Sequence, residues 1–370
     1  MPNKRLANAA RLEFAAGSLV QTNLSGAAIT RTGQGKGERH WLWVAGDEAC
    51  GLDRLQLLPP SGDEQLRFGE VQDFPLASVL DLPGGPDEEA DLEGLAWHDG
   101  YLWLAGSHGL KRKNIKPGKA TADNAKRLAK TSLDANRRLV ACIPVQPDAD
   151  GRPQLVRQAD DGRRALALKG DAEHNELTRL LADDPHIGPF MAIPGKDNGF
   201  DIEGLAMLGR RMLLGLRGPV LRGWSCVLEI ELAMRGEQLR LAPLDARGTL
   251  LRKHFLPLEG LGVRDLAFHG DDLYILAGPT MVMNGDIRVF KWHGAAPALL
   301  ANTEAVSFEA VPVESIALPH GRGTNRAEAI CELPPALIGG KLAWLVLYDA
   351  PGPDRREGEF TVFGDVLRSD

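Results

Sequence analysis

Few of the usual handles for assigning a chemistry are present in these 370 residues. Aromatic residues make up only 6%, with three tyrosines, so surface for stacking nucleic-acid bases is scarce. The four cysteines, Cys50, Cys142, Cys226 and Cys331, stand far apart without a C-x-x-C pair, which excludes the common zinc and dithiol spacings and reads as reduced strand or core positions. There is no G-x-S-x-G elbow, H-E-x-x-H helix or P-loop, and Gly33-Gln34-Gly35-Lys36-Gly37 has neither the spacing nor the following helix of a phosphate loop. No apolar run has membrane length, and the segment from Met1 to Gln21 lacks an apolar stretch of signal-peptide kind. The sequence therefore points to a cytoplasmic protein with no membrane partner. A net charge of −7 gives no reason to expect a polyanionic partner for the whole chain.

What is plentiful is turn-forming residues, 42 Gly and 24 Pro, which favour many short strands over long helices. They punctuate a repeat. Asp91-Leu92-Glu93-Gly94-Leu95-Ala96-Trp97, a tight turn and Tyr101 to Gly106 recur as Asp201-Ile202-Glu203-Gly204-Leu205-Ala206-Met207 with Met212 to Leu216. They return again as Val263-Arg264-Asp265-Leu266-Ala267-Phe268 with Leu273 to Gly278. Weaker copies begin at Asn23 and Arg326, and the third residues of the five phrases, Ser25, Glu93, Glu203, Arg264 and Glu328, are spaced by 68, 110, 61 and 64 residues. Two apolar segments around a Gly, Asp or His turn spell a β-hairpin. Further strand segments follow each hairpin, and a proline stands near the end of four units, at Pro83, Pro194, Pro257 and Pro319.

Four strands per unit predict an all-β chain, residues 1–370 forming a single β-propeller of about five four-stranded blades, with six or seven blades or a β-sandwich as alternatives. The last unit runs out of chain after its third strand, so the segment Arg11-Leu12-Glu13-Phe14 is expected to close the ring. The long interval is expected to hold an insertion over about 111–200: a basic loop, with ten basic side chains against two aspartates between Lys111 and Arg138, and a helix from Ala172 to Ala182 capped by Asp171. Both are expected to project from one face.

In such a ring the start of each first strand and the end of each second strand share one mouth. The repeat thus gathers Glu93, Glu203 and Glu328 with Arg217 and Arg264, with Asp91, Asp201, Asp265, Asp47, Glu48, Ser107, His108 and Asp349 beside them. Three carboxylates around a narrow axis repel one another unless a cation relieves them, so Glu93, Glu203 and Glu328 are candidate ligands of a hard ion such as Ca²⁺. Arg217 and Arg264 are candidate anion clamps, and Asp265 and His108 candidate catalytic groups, His108 moving protons. The competing reading has each Glu bridging to a neighbouring blade, with Gly94 and Gly204 serving a bulge or a close strand approach.

The phrases Asp91 to Ala96, Gly106-Ser107-His108, Asp201 to Ala206, Gly215-Leu216-Arg217-Gly218-Pro219 and Leu276-Ala277-Gly278-Pro279 resemble an uncharacterised bacterial family of unknown function. More distantly, they are similar to phytase-like propellers and to those with esterase-like activity. The distant likeness implies Ca²⁺ held by acidic residues and a phosphoester substrate, whereas Ser25 and Arg264 depart from an all-acidic ring. Two functions are therefore expected in competition: a Ca²⁺-assisted hydrolase of an anionic small molecule, or a non-catalytic propeller binding a small ligand or protein partner on the same face. Nucleic-acid binding through the basic segment ranks below both.

Overall fold

In the computed structural model, which describes residues 8–18, 21, 23–62, 64–309, 313–318, 320 and 323–368, each repeated phrase folds as its pattern dictates. The first strands are Leu24–Thr32, Leu92–His98, Asp201–Leu208, Gly262–His269 and Arg326–Leu333. Each pairs antiparallel with a second strand: Arg39–Gly46, Tyr101–Gly106, Arg211–Gly218, Asp272–Gly278 and Ala343–Asp349. At the Asp99-Gly100 turn both central residues are left-handed, φ 53° and 80°, the backbone a two-residue hairpin needs and an Asp-Gly pair tolerates. Third strands follow at Gly51–Leu58, Val140–Pro147, Ser225–Arg235, Ile287–Trp292 and Thr361–Arg368. Fourth strands follow at Leu66–Pro75, Pro153–Leu155, Arg252–Leu256 and Val313–Leu318.

The fourth position of the last unit is filled from the other end of the chain. Ala9–Glu13 pairs antiparallel with Thr361–Arg368, Leu12 facing Val362, and parallel with Leu66–Pro75 of the first unit. The N-terminal strand thus closes the ring and covers two edges that would otherwise be open for pairing.

Apolar side chains fill the space between neighbouring units. Trp43 and Leu52 of the first unit pack with Leu104 and Ile143 of the second. Trp103 and Cys142 of the second pack with Leu214 and Leu228 of the third. Leu213 and Val227 of the third meet Ile275 and Phe290 of the fourth. Tyr274 and Val289 of the fourth meet Ile330 and Trp344 of the fifth. Leu345 and Val366 of the fifth join Leu42 and Leu55 of the first. Both faces of each sheet are therefore buried, and each fully covered Leu or Ile contributes about 1.5–3 kcal/mol. All five first strands contribute to a single 400 Å³ cavity. Sheets packed face to face around an axis lined by their first strands make this fold a β-propeller.

The insertion departs from expectation. Within the basic segment, helix α1 (Thr121–Ala129) stands between the short paired strands Lys111–Arg112 and Thr131–Ser132 and buries none of its side chains. Helix α2 is shorter than predicted, Glu176–Ala182, and Asn175 rather than Asp171 caps it in a reciprocal box with Thr178. It does not project: Leu177 and Leu181, four apart on one face, sink into the core between the second and third units. Pro257 directly follows a fourth strand, Pro83 and Pro194 sit in loops, and Pro319 lies outside the described residues. The four cysteines are unpaired, and no helix among the described residues is long and apolar enough to cross a membrane.

Candidate functional site

Each first strand breaks its pairing register at the same place. Leu24 and Gly26 face Gly46 and Ala45, skipping Ser25; Glu93, Glu203, Arg264 and Glu328 are skipped in the same way in the other four strands. These are β-bulges, which re-aim a side chain at the cost of one ladder position. The residue after the bulge lets the neighbouring strand approach: a Cβ on Gly94 would lie 2.5 Å from that of Leu205, and one on Gly204 would lie 3.0 Å from the Asp265 backbone. Of the competing sequence reading, the glycine part is seen at Gly94 and Gly204, which follow a bulge and admit the neighbouring strand.

Four of the five bulged side chains are ionisable, and all four are buried. Arg264 reaches across two units, its Nη1 3.0 Å from Glu203 Oε2 and 2.7 Å from Glu328 Oε1, while its Nη2 donates to the Pro279 carbonyl at 2.7 Å. Arg217, at the end of a second strand, pairs with both Asp201 and Glu203. Ser25 donates to the Leu92 carbonyl of the adjacent unit. Asp91, held left-handed at φ 47° as the chain turns into its strand, pairs with the buried Arg137, which also holds Glu89 at 2.8 Å. Burial raises the carboxyls of Glu203 and Glu328 despite these arginines.

Glu93 differs from its counterparts. It lines the same opening as Arg217, Arg264, Glu328, Asp47, Lys196 and Asp349, yet among the described residues it has no hydrogen-bonding or ion-pairing partner. Burial, followed by the fields of Asp91, Glu203, Glu328 and Asp47, holds its carboxyl well above the usual range. Asp47 is likewise without an ion pair among the described residues. Burial, then Glu328, Asp91 and Asp349, push it up to about 8 against the pull of Lys196. Lys196 hangs exposed over the opening with no ion pair among the described residues.

Two predicted catalytic residues stand elsewhere. His108 is 5% exposed, with Nδ1 2.8 Å from the Gly106 carbonyl and Nε2 2.9 Å from the Asn175 amide. Burial lowers it to about 4, so the ring is neutral at pH 7, donating from Nδ1 and accepting at Nε2, and it anchors the cap of α2. The Asp265 carboxylate accepts from the Leu266 and Ile330 amides, both at 2.8 Å, and so ties the fourth unit to the fifth. The register explains why: Asp265 occupies the position after the bulge, that of Gly94 and Gly204, not the position of Asp91 and Asp201 two residues before it.

Glu93, Glu203 and Glu328 do gather around one axis, but not as a calcium cage. Arg217 and Arg264 occupy the spaces between carboxylates where an ion would sit, and no group of three His, Cys, Asp or Glu side chains among the described residues has metal-binding geometry. The residues therefore do not fit Ca²⁺. Sequence reasoning missed Arg137, hidden in the basic run in a short 3-10 turn (Ala135–Arg138) ahead of a strand, and Lys196, in the Pro194-Gly195-Lys196-Asp197 turn before the third phrase. It also missed Met281, Val282 and Met283, a rare exposed apolar triplet at the rim.

No curated protein matches the chain. Among solved structures, a Bombyx mori GH32 beta-fructofuranosidase in complex with sucrose is similar at 11% identity and a TM-score of 0.38, with 95% of this chain and 62% of that one covered. Kluyveromyces lactis Hsv2 is similar at 10% identity and a TM-score of 0.29, with 89% and 94% covered. This chain thus spans less than two thirds of the length of the first. Neither likeness bears on function. A family model matches residues 31–365, nearly the whole ring from the first hairpin to the last strand, and the chain belongs to that family, described as protein of unknown function (DUF3616).

Proposed function

We propose that the protein is a hydrolase of a small anionic molecule, acting at the charged mouth without a metal ion. The supporting observation is Glu93, a buried carboxyl at a bulge on the opening, without an ion pair among the described residues. Its carboxyl is held above the usual range by burial and the neighbouring acids, and it donates its proton to the leaving oxygen as the bond to that oxygen breaks. Asp47, poised near neutrality, takes a proton from the water whose oxygen forms the new bond. Lys196 meets the substrate's negative charge. Arg217 and Arg264, whose terminal nitrogens are engaged by protein groups, position Glu203 and Glu328.

A calcium-dependent, phytase-like activity finds no support in this arrangement. A panel of phosphate, carboxylate and sulfate esters assayed with and without EDTA is the test. Turnover that survives chelation and falls at least about 10²-fold in Glu93→Gln supports the reading. Turnover that disappears in EDTA and returns with Ca²⁺ contradicts it. Because the arginine forks are already spent on protein groups, a non-catalytic ligand- or protein-binding mouth is the second reading; it predicts ligand binding with no turnover of any ester.

A further inference from the structure

The chemistry of the mouth stops at its rim, where large apolar side chains face water. Met281, Val282 and Met283 are 41%, 64% and 63% exposed, and Leu128 of α1 is 50% exposed. They converge from distant parts of the chain. The triplet lines the opening that contains Glu93, Arg217 and Arg264; Val282 and Leu128 line the adjoining 350 Å³ cavity with Asp47, Glu93 and Lys196. Their position is fixed by backbone bonds: the Met283 amide donates to the Met281 carbonyl at 2.7 Å, and Met281 bridges to Asp197, next to Lys196. Apolar surface of this kind beside a pocket marks a contact site, and methionine adapts to varied apolar shapes.

Around this apolar edge, beside the acids Asp47, Glu48 and Glu93, two cations are left over. Of the cations lining the two cavities, Lys111 pairs with Glu89 and Asp134, Arg112 with Asp197, and Arg326 with Asp349. Lys196 and Lys113 have no ion pair among the described residues. We propose that the mouth takes an amphiphile with an anionic head, its head beneath Lys196 and beside the carboxyl and guanidinium groups, its apolar body across Met281, Val282, Met283 and Leu128. This rests on the hydrolase reading for the site but not on its chemistry, since recognition of head and tail is independent of turnover.

Calorimetric titration with decylphosphonate, methylphosphonate and decyl maltoside, each as monomers, separates head from tail; the phosphonates carry a carbon–phosphorus bond and are not esters. Decylphosphonate is expected to bind at one site about tenfold or more tighter than either of the others. Val282→Ser with Met283→Ser should remove about tenfold for decylphosphonate and leave methylphosphonate unchanged, and Lys196→Ala should weaken both phosphonates. Equal affinity for the two phosphonates, decyl maltoside binding as tightly as decylphosphonate, or no binding of any probe would each overturn the proposal. Tight decylphosphonate binding together with no ester turnover would leave it standing and sink the hydrolase reading instead.

Discussion

The two ends of the central channel are built from the same five strands, and they could hardly differ more. At one end the bulged residues are Ser, Glu, Glu, Arg and Glu; four positions further along, the strands present Ile29, Trp97, Met207, Phe268 and Glu332 to an open cavity. At the first end Asp91, Asp201, Glu203 and Glu328 are buried and paired with arginines, while Trp97 at the second is 39% exposed and Glu332 pairs with a partly exposed His269 at 3.1 Å. A buried ion pair holds geometry at a steep desolvation cost, so a chain that places several of them around one axis gains little net stability from them. The contrast is the reason the proposed function is placed at the bulged end.

Breaking one end and then the other should give unequal results. The largest effect is expected for Glu93→Gln, at least about 10²-fold in turnover, measured against Trp97→Ala four residues along the same strand. Next, Arg264→Ala strands Glu328 and leaves Glu203 to Arg217 alone, and should cost about 3–5 kcal/mol in chemical denaturation. Gly94→Ala puts a Cβ 2.5 Å from that of Leu205, on a rigid neighbouring strand, and should cost about 1–3 kcal/mol.

The pH dependence sharpens the same comparison. An acid whose folded pKa is raised is more stable in its place when protonated, so Asp47 contributes stability fully below its ordinary range near 4 that is lost as pH rises toward about 8. Above that pH the mouth carries one more negative charge and anionic ligands should bind more weakly; Asp47→Asn should flatten this limb by a few-fold. The smallest effect is expected from Trp97→Ala itself, within about 0.5 kcal/mol in stability and twofold in turnover.

How much of this was legible in the sequence depended on what repeats. The phrase spacing carried the hairpins, the closure by the N-terminal strand and the convergence of Glu93, Glu203, Arg264 and Glu328, because a recurrent pattern fixes recurrent positions on an axis. It did not carry register. A bulge shifts the count by one residue, so Asp265 looked like a mouth residue when it occupies the glycine position of its unit. Nor did it carry contacts made by non-repeating segments: Arg137 and Lys196 enter from connections that only the fold brings to the mouth, and α2, expected to project because it fits no blade, is drawn inward by Leu177 and Leu181. The basic run misled for a related reason, since its charge count did not separate exposed Lys126 from buried Arg137.

The claim most open to direct measurement is that the Glu93 carboxyl, without an ion pair among the described residues, is held well above the usual range where Glu203 and Glu328 are paired with arginine. Titration of carboxyl ¹³C resonances in glutamate-labelled protein, compared with Glu93→Gln, isolates it. The account predicts one resonance, absent from the variant, that remains protonated well above the ordinary glutamate range. A Glu93 resonance titrating at or below that range would show a carboxylate already satisfied by a cation, and would contradict the account.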